Sequence, residues 1–172
     1  MSELHIECRT GADLVADLPA LARLRIRVFR DYPYLYEGDA EYEERYLRTY
    51  ADAPDGVMVL VRDGDRVVGA SSALPLAAET PNVIEPFKSH GYATERIFYY
   101  GESVLLPEYR GRGLGRRFFE EREAHARTLG RFDGVVVAGN GADLGFVGQL
   151  LGSNLVAHGG DAEMARADEG NA

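Results

Sequence analysis

The segment from Val104 to Arg117 sets Gly111, Gly113 and Gly115 among Arg110, Arg112, Arg116 and Arg117, between an apolar run and a helical pattern. Alternating glycines let backbone approach a ligand closely and leave N–H groups free to point outward. The N-terminus of the helix that follows adds partial positive charge, and the arginines add full charges. Together these features make an anion site, and the spacing suits a diphosphate. A Walker A loop is excluded, because no Gly-Lys-Ser/Thr follows. The dinucleotide fingerprint is excluded as well, because Arg116 stands at its third glycine position.

The elements around this loop follow from periodicity. Leu4 to Cys8 alternates as a short strand. Gly11 and Asp13 open a turn, and Asp17 is placed to cap a helix with Pro19 in its first turn. Leu18, Leu21, Leu24 and Val28 form that helix's apolar face, and Pro33 ends it. In a second helix, Tyr42, Tyr46, Leu47 and Tyr50 share a face, and Glu41/Arg45 and Glu44/Arg48 are i,i+4 pairs. Val57 to Val61, the Asp63-Gly64 turn and Val67 to Leu74 read as a hairpin. The stretch from Ala77 to Gly91 reads as a loop with one short helix. Ile97 to Leu106 is a fourth strand, and a helix runs from the glycine loop to about Leu129. Val135 to Val137 is a fifth strand. Beyond it, Ala142 to Leu151 reads as a glycine-weakened helix and Asn154 to Ala157 as a short strand without an evident partner.

The hairpin implies antiparallel pairing, and the strand–helix–strand unit from Ile97 to Val137 implies a parallel pair. The fold class is therefore α/β, or α+β with a mixed sheet: antiparallel and parallel strands with helices on both faces. One domain spans residues 1–158, its part from 139 atypical in composition, and residues 159–172 read as a flexible acidic tail.

Leu106-Pro107-Glu108-Tyr109-Arg110-Gly111-Arg112-Gly113-Leu114-Gly115 resembles motif A of the GNAT (general N-acetyltransferase) acyltransferase superfamily, with Arg110, Gly113 and Gly115 as its R-x-x-G-x-G. The resemblance implies a sheet whose fourth and fifth strands splay apart. It implies acetyl-CoA as acyl donor. Arg110, Gly111, Arg112, Gly113, Leu114, Gly115 and Arg116 would hold its pyrophosphate, and backbone at Val104, Leu105 and Leu106 would hold its pantetheine arm. The thioester would lie near the middle of the fourth strand, where Glu102 interrupts an apolar run. A carboxylate there could take a proton from an ammonium acceptor, so that the free amine attacks the thioester directly in a ternary complex. Ser103 and Tyr100 are the other residues in reach. Tyr34 and Tyr36, in a tyrosine-rich stretch with Glu37, Asp39, Glu41, Glu43 and Glu44, correspond to the region that lines the acceptor pocket in many members. Asn140 stands where an asparagine often contacts the cofactor. Members usually carry a tyrosine after the fifth strand as general acid, but no tyrosine follows Tyr109 here. The alternative to an N-acetyltransferase is therefore a non-catalytic acyl-CoA-binding module.

Composition narrows the rest. With 19 basic and 28 acidic residues the formal net charge is -9, a poor match for nucleic acid or an anionic membrane. Cys8 is the only cysteine, so there is no disulfide framework. His5, His90 and His158 are scattered and form no metal set. His125 falls on an apolar helix face, where it reads as a hydrogen-bonded core residue. Met1 to Thr10 lack the basic start and apolar run of a signal peptide, so a cytoplasmic enzyme is expected. Its partners would be acetyl-CoA and an amine, with a homodimer left open.

Overall fold

The computed structural model describes residues 3–31, 34–137, 146–149 and 156–157. The chain runs β1 (Leu4–Arg9), α1 (Gly11–Val15), α2 (Leu18–Phe29), α3 (Ala40–Asp52), β2 (Val57–Asp63), β3 (Arg66–Pro75), α4 (Pro81–Ser89), β4 (Ile97–Leu105), α5 (Leu114–Leu129), β5 (Gly134–Val137), β6 (Phe146–Gln149) and β7 (Val156–Ala157). The seven strands lie in chain order in one sheet. Neighbours are antiparallel except β4 and β5, which run parallel from Ile97↔Gly134 to Tyr100↔Val137. This is the mixed sheet that the hairpin and the strand–helix–strand unit predict.

Several local expectations change. Phe146–Gln149 lies in β6, paired with β5, and not in a helix. Gly145 and Gly148 penalise a helix, while Phe146 and Val147 favour extended backbone. Residues 156–157 do have a partner, because β7 pairs with β6. The turn at Gly11 tightens into α1. Asp17 does not cap α2 with its side chain; its carboxylate is drawn instead to Arg62, at 2.5 Å, and to Arg9. Asp39 is the true cap of α3, accepting from the Tyr42 amide at 2.7 Å. On α3, Tyr42 is exposed and Glu43 takes the buried position beside Leu47 and Tyr50. The readings of the tail at 159–172 and of Asn140 lie outside the described residues.

The sheet is covered on both faces. The α2–α3 pair packs Leu21, Leu24, Leu47 and Tyr50 against the buried run of β2 and β3. The second half of α5 covers Phe98, Tyr100 and Val135 through Ala126. Phe87 of α4 closes a third cluster with Leu76 and Ile97.

One irregularity governs the middle of β4. Ser71 faces Ser103 and Ala73 faces Tyr100, so Ser72 alone stands opposite Gly101 and Glu102. This is a β-bulge, with one extra residue on β4. In a regular strand Glu102 would share a face with Tyr100, which packs on Phe119 and Arg122 of α5. The extra residue turns Glu102 to the opposite face, toward Arg25 of α2.

The bulge requires glycine at position 101. A Cβ there would lie 2.5 Å from the Ser72 hydroxyl oxygen and 2.9 Å from that of Tyr50. Gly101→Ala is expected to cost ~1–3 kcal/mol through overpacking, a drop of several degrees in the melting temperature. Gly115→Ala adds a methyl to open space and should leave the melt nearly unchanged. Equal melting of the two variants would show that the bulge is not tightly packed.

Candidate functional site

Two features converge on β4: a loop of open amides at its C-terminal end and a charged array at its centre. Leu106 ends the strand by donating its amide to the Val68 carbonyl at 3.0 Å and accepting from the Tyr109 amide. The 3-10 turn Pro107–Tyr109 then reverses the chain. Tyr109 is buried and donates its hydroxyl to Asp63 at 2.7 Å, which anchors the loop on the β2–β3 hairpin. That bond pushes the Tyr109 phenol above its usual range.

Gly111 and Gly113 adopt φ of 74° and 77°, a region that side chains with a Cβ rarely enter. A Cβ at Gly111, Gly113 or Gly115 would meet nothing within 4 Å, so this side of the loop is open. The first amide with a backbone acceptor is that of Arg117, on Gly113 at 3.2 Å. Among the described residues, the amides from Gly111 to Arg116 have no backbone acceptor. They lie at the positive end of the 16-residue helix α5, an arrangement that fits a diphosphate.

The arginines are partly committed elsewhere. Arg110 reaches back to the Leu105 carbonyl at 3.3 Å. Arg112 bonds the Glu108 carbonyl at 3.0 Å and stacks on Tyr109. Arg116 and Arg117 pair with Glu120 and Glu121 one turn along α5. All four are exposed, and exposed pairs are weak enough to exchange for a phosphate.

Beyond Tyr100, β4 has no strand on its β5 side among the described residues. Val104 and Leu105 lie in that stretch. Leu106 lies just past it, with its amide and carbonyl already bonded as described.

At the centre of β4, the Glu102 peptide is fixed on both sides by buried serines. Ser72 accepts from the Glu102 amide at 3.2 Å, and Ser71 donates to the Glu102 carbonyl at 3.2 Å. Ser71 also bonds Ser103 at 2.7 Å. The Glu102 carboxylate is ion-paired with the Arg25 guanidinium. Arg25 bonds Glu43 through Nε, and Glu43 is only 1% exposed. The guanidinium faces rest on Phe29 and Tyr46, at 5.0 and 4.4 Å to the ring centres. A narrow crevice lies beside this array, bounded by Arg25, Glu102, Ser71, Ser72 and Val104.

Of the two tyrosines expected at an acceptor pocket, Tyr36 reaches the array. It hydrogen-bonds Glu43, which raises its phenol above the usual range. Tyr34 does not; it is 61% exposed and packs edge-on against Phe29. His125 donates from Nε2 to the Asp55 carbonyl, 3.0 Å away, beside the Phe98 ring.

Sequence reasoning missed Arg25, the Ser71-Ser72 pair and Arg122. Arg122 is 1% exposed and has no carboxylate partner among the described residues. It bonds the Phe118 and Ser72 carbonyls at 3.1 and 3.3 Å and stacks on Tyr100 and Phe119. Burial lowers its pKa to about 10, so it stays charged at neutral pH. The Tyr100 hydroxyl is buried without a hydrogen-bond partner among the described residues, and burial pushes that phenol far up. Arg25 sits four residues after Leu21 and Arg122 four after Phe118. A charge in register with an apolar face was the available signal.

The chain matches the model of the acetyltransferase (GNAT) family over residues 20–152. It belongs to that family, whose acyl donor is acetyl-CoA. No curated protein sequence matches it. Its fold resembles the aminoglycoside N-acetyltransferase AAC(6')-Iy, solved with CoA, at TM-score 0.58 and 11% identity over 82% of this chain and 80% of that one. It also resembles the aminoglycoside acetyltransferase meta-AAC0020 from an uncultured soil metagenomic sample, solved with trehalose, at TM-score 0.53 and 18% identity over 80% and 78%. A GNAT-family acetyltransferase from Streptococcus pneumoniae gives TM-score 0.56 and 17% identity over 85% and 75%. These likenesses establish the fold. Among the described residues no helix is long and apolar enough to cross a membrane, and no group of His, Cys, Asp and Glu is placed to hold a metal ion.

Near Tyr50 and Tyr99 lies a more weakly solvated acid. Burial pushes the Glu79 carboxyl up, only partly offset by the Thr80 amide that it accepts. Burial, with Glu79 nearby, pushes the Tyr99 phenol up to about 12. The folded state therefore binds the Glu79 proton more tightly than the unfolded chain does. That stabilisation is complete below the unfolded pKa and is lost as pH rises through the folded one. Glu79→Gln should accordingly raise the melting temperature at pH 7, with the gain vanishing near pH 4. A loss of stability at pH 7 would mean that the charged carboxylate has a compensating partner.

Proposed function

We propose that the chain is an acetyl-CoA-dependent N-acetyltransferase acting on a small cationic amine by direct attack in a ternary complex. The observation that carries this reading is the placement of Glu102. The bulge turns its carboxylate to the sheet face that α2 and α3 cover, toward a crevice that Glu102 lines with Arg25, Ser71, Ser72 and Val104. Residues Arg110 to Arg116 would hold the pyrophosphate, chiefly through their open amides. Backbone of Val104 and Leu105, with the Leu106 chain beside it, would guide the pantetheine arm.

Glu102 takes a proton from the acceptor ammonium, directly or through one water. The free amine nitrogen bonds the acetyl carbonyl carbon, the C–S bond breaks, and the departing sulfur takes up a proton. Glu43, Arg25 and Glu102 together carry two negative charges and one positive. The excess favours a cationic acceptor, and Tyr36 and Tyr46 add aromatic surface suited to an ammonium group. One structural neighbour supports this class, since meta-AAC0020 is also solved with sisomicin. Residues 1–158 would make up the enzyme domain. A non-catalytic acyl-CoA module is the second reading, favoured by the lack of any tyrosine after Tyr109.

Acetyl-CoA at a hundred times its dissociation constant should stabilise the fold by ~2.7 kcal/mol, and a nicotinamide dinucleotide much less. Gly113→Glu places an anion where backbone must meet pyrophosphate. It should remove acetyl-CoA binding in calorimetry while the free protein still melts cooperatively. Glu102→Gln should keep acetyl-CoA affinity and lower turnover by ~10²–10⁴ in a screen of amines that detects free CoA. The deficit should shrink at high pH, where more of the amine is already deprotonated. Full activity of Glu102→Gln at neutral pH would exclude Glu102 as the base. Binding without turnover of any amine by the wild type would favour the module.

A further inference from the structure

We infer that Arg25 is a positioning residue: fixed by the buried Glu43, its guanidinium holds one oxygen of the Glu102 carboxylate and leaves the other free at the crevice. The inference rests on the reading of Glu102 as the base. The guanidinium is constrained on several sides. Its Nε edge bonds Glu43 from α3, Nη1 meets Glu102 from β4, and its two faces lie on Phe29 and Tyr46. A planar fork held on edges and faces has one orientation, which an ammonium on a flexible stem would not have. Glu43 in turn is held by Tyr36. The Glu102 peptide is clamped by Ser71 and Ser72, so backbone and carboxylate are each fixed independently. Among the described residues, the second oxygen of Glu102 has no partner, and the side chain is 23% exposed. That oxygen is the one an acceptor could reach.

A tie between α2 and α3 alone needs only the Arg25–Glu43 bond, and losing it would change melting but not chemistry. A positioning role makes a different demand. Removing the guanidinium leaves Glu102 free to rotate and takes away the nearest positive charge, which favours the protonated carboxyl. The other titratable groups around it are Glu43, Tyr46 and Tyr50 on α3, Tyr36 in the loop before α3, and Arg122 on α5 behind Ser72. A change at Arg25 also removes a partner of Glu43 and of Tyr46, and Glu43→Gln reads that contribution separately. The acidic limb of the activity profile should therefore move to higher pH.

The test uses the full chain with sisomicin, spermidine and 2-phenylethylamine as acceptor probes, and CoA release as the readout. Arg25→Gln and Glu43→Gln should lower kcat by about 10- to 100-fold through misplacement of the base, with the acetyl-CoA KM unchanged. The acidic limb of kcat/KM should rise in Arg25→Gln, and Arg25→Lys should recover part of both effects. A second arm needs no turnover. In ¹⁵N spectra of arginine Nε–H groups, the Arg25 signal, assigned by its loss in Arg25→Lys, should be protected from exchange and should shift in Glu102→Gln. Full activity of Glu102→Gln would remove the catalytic reading, and the spectrum would then decide the clamp alone. Low activity of Glu102→Gln beside wild-type kcat and pH profile in Arg25→Gln would overturn the positioning role. An Arg25 signal indifferent to Glu102→Gln would overturn the clamp itself, whatever the kinetics.

Discussion

The single extra residue in β4 is the constraint on which the rest of the site depends. The described part of the parallel ladder to β5 reaches Tyr100, the residue immediately before the bulge. A bulge bends its strand and increases the local twist. The same residue sends Glu102 to the face of α2 and α3. Ser72, the partner that stands opposite two residues, is left with hydrogen-bonding groups that a regular ladder would have used. Its hydroxyl takes the Glu102 amide and its carbonyl takes Arg122. The direction of the carboxylate and the carbonyl offered to Arg122 are thus two consequences of one irregularity. Glycine at 101 permits it, because the space for a side chain is already filled by Ser72 and Tyr50.

The two buried guanidiniums are stabilised in different ways. Arg25 has two carboxylates and two rings; Arg122 has two carbonyls and two rings and no carboxylate among the described residues. Burying a charge costs several kcal/mol, which a single pair seldom recovers in full. Neither arginine is therefore the cheapest way to fill its space, and an apolar residue would pack there with less penalty. What each gives instead is direction. Arg25 aims a carboxylate, and Arg122 holds the strand carbonyl behind it. Both act on the same short stretch of backbone, from opposite faces of the sheet.

The fold was legible wherever a period ran unbroken. Val57 to Val61, the Asp63-Gly64 turn and the helix after Gly113 lie close to where their patterns place them. Errors came where a polar side chain had a tertiary partner. Asp17 fits a cap by local rules, but Arg62 and Arg9 across the sheet outcompete the helix amides. Tyr42 fits the buried face of α3 by hydrophobicity, but Glu43 displaces it because Arg25 waits inside. Phe146–Gln149 is too short and glycine-flanked for periodicity to decide, and its pairing with β5 settles it as a strand. The bulge itself has no pattern of its own; only the polar Ser71-Ser72 and Gly101-Glu102 pairs within apolar strands marked it.

The unequal legibility of the two halves of the site has a physical origin. An anion cradle of backbone amides needs little more than glycines at fixed offsets and a helix behind them, so the chemistry is written in adjacent residues. Tyr109, which anchors the cradle on Asp63, also belongs to that contiguous segment. The proposed acceptor side is assembled from side chains instead: Arg25 on α2, Tyr36 in a loop, Glu43 on α3 and Glu102 on β4. Only the sheet brings them together, and each could change while the strand order and the cradle persist. Family membership therefore follows from one stretch of chain, whereas acceptor choice depends on distant positions whose relation exists only in the folded state. In this chain that relation is carried by charge. A guanidinium between two carboxylates leaves one negative charge uncompensated at the crevice, which on the proposed reading a protonated acceptor amine would balance.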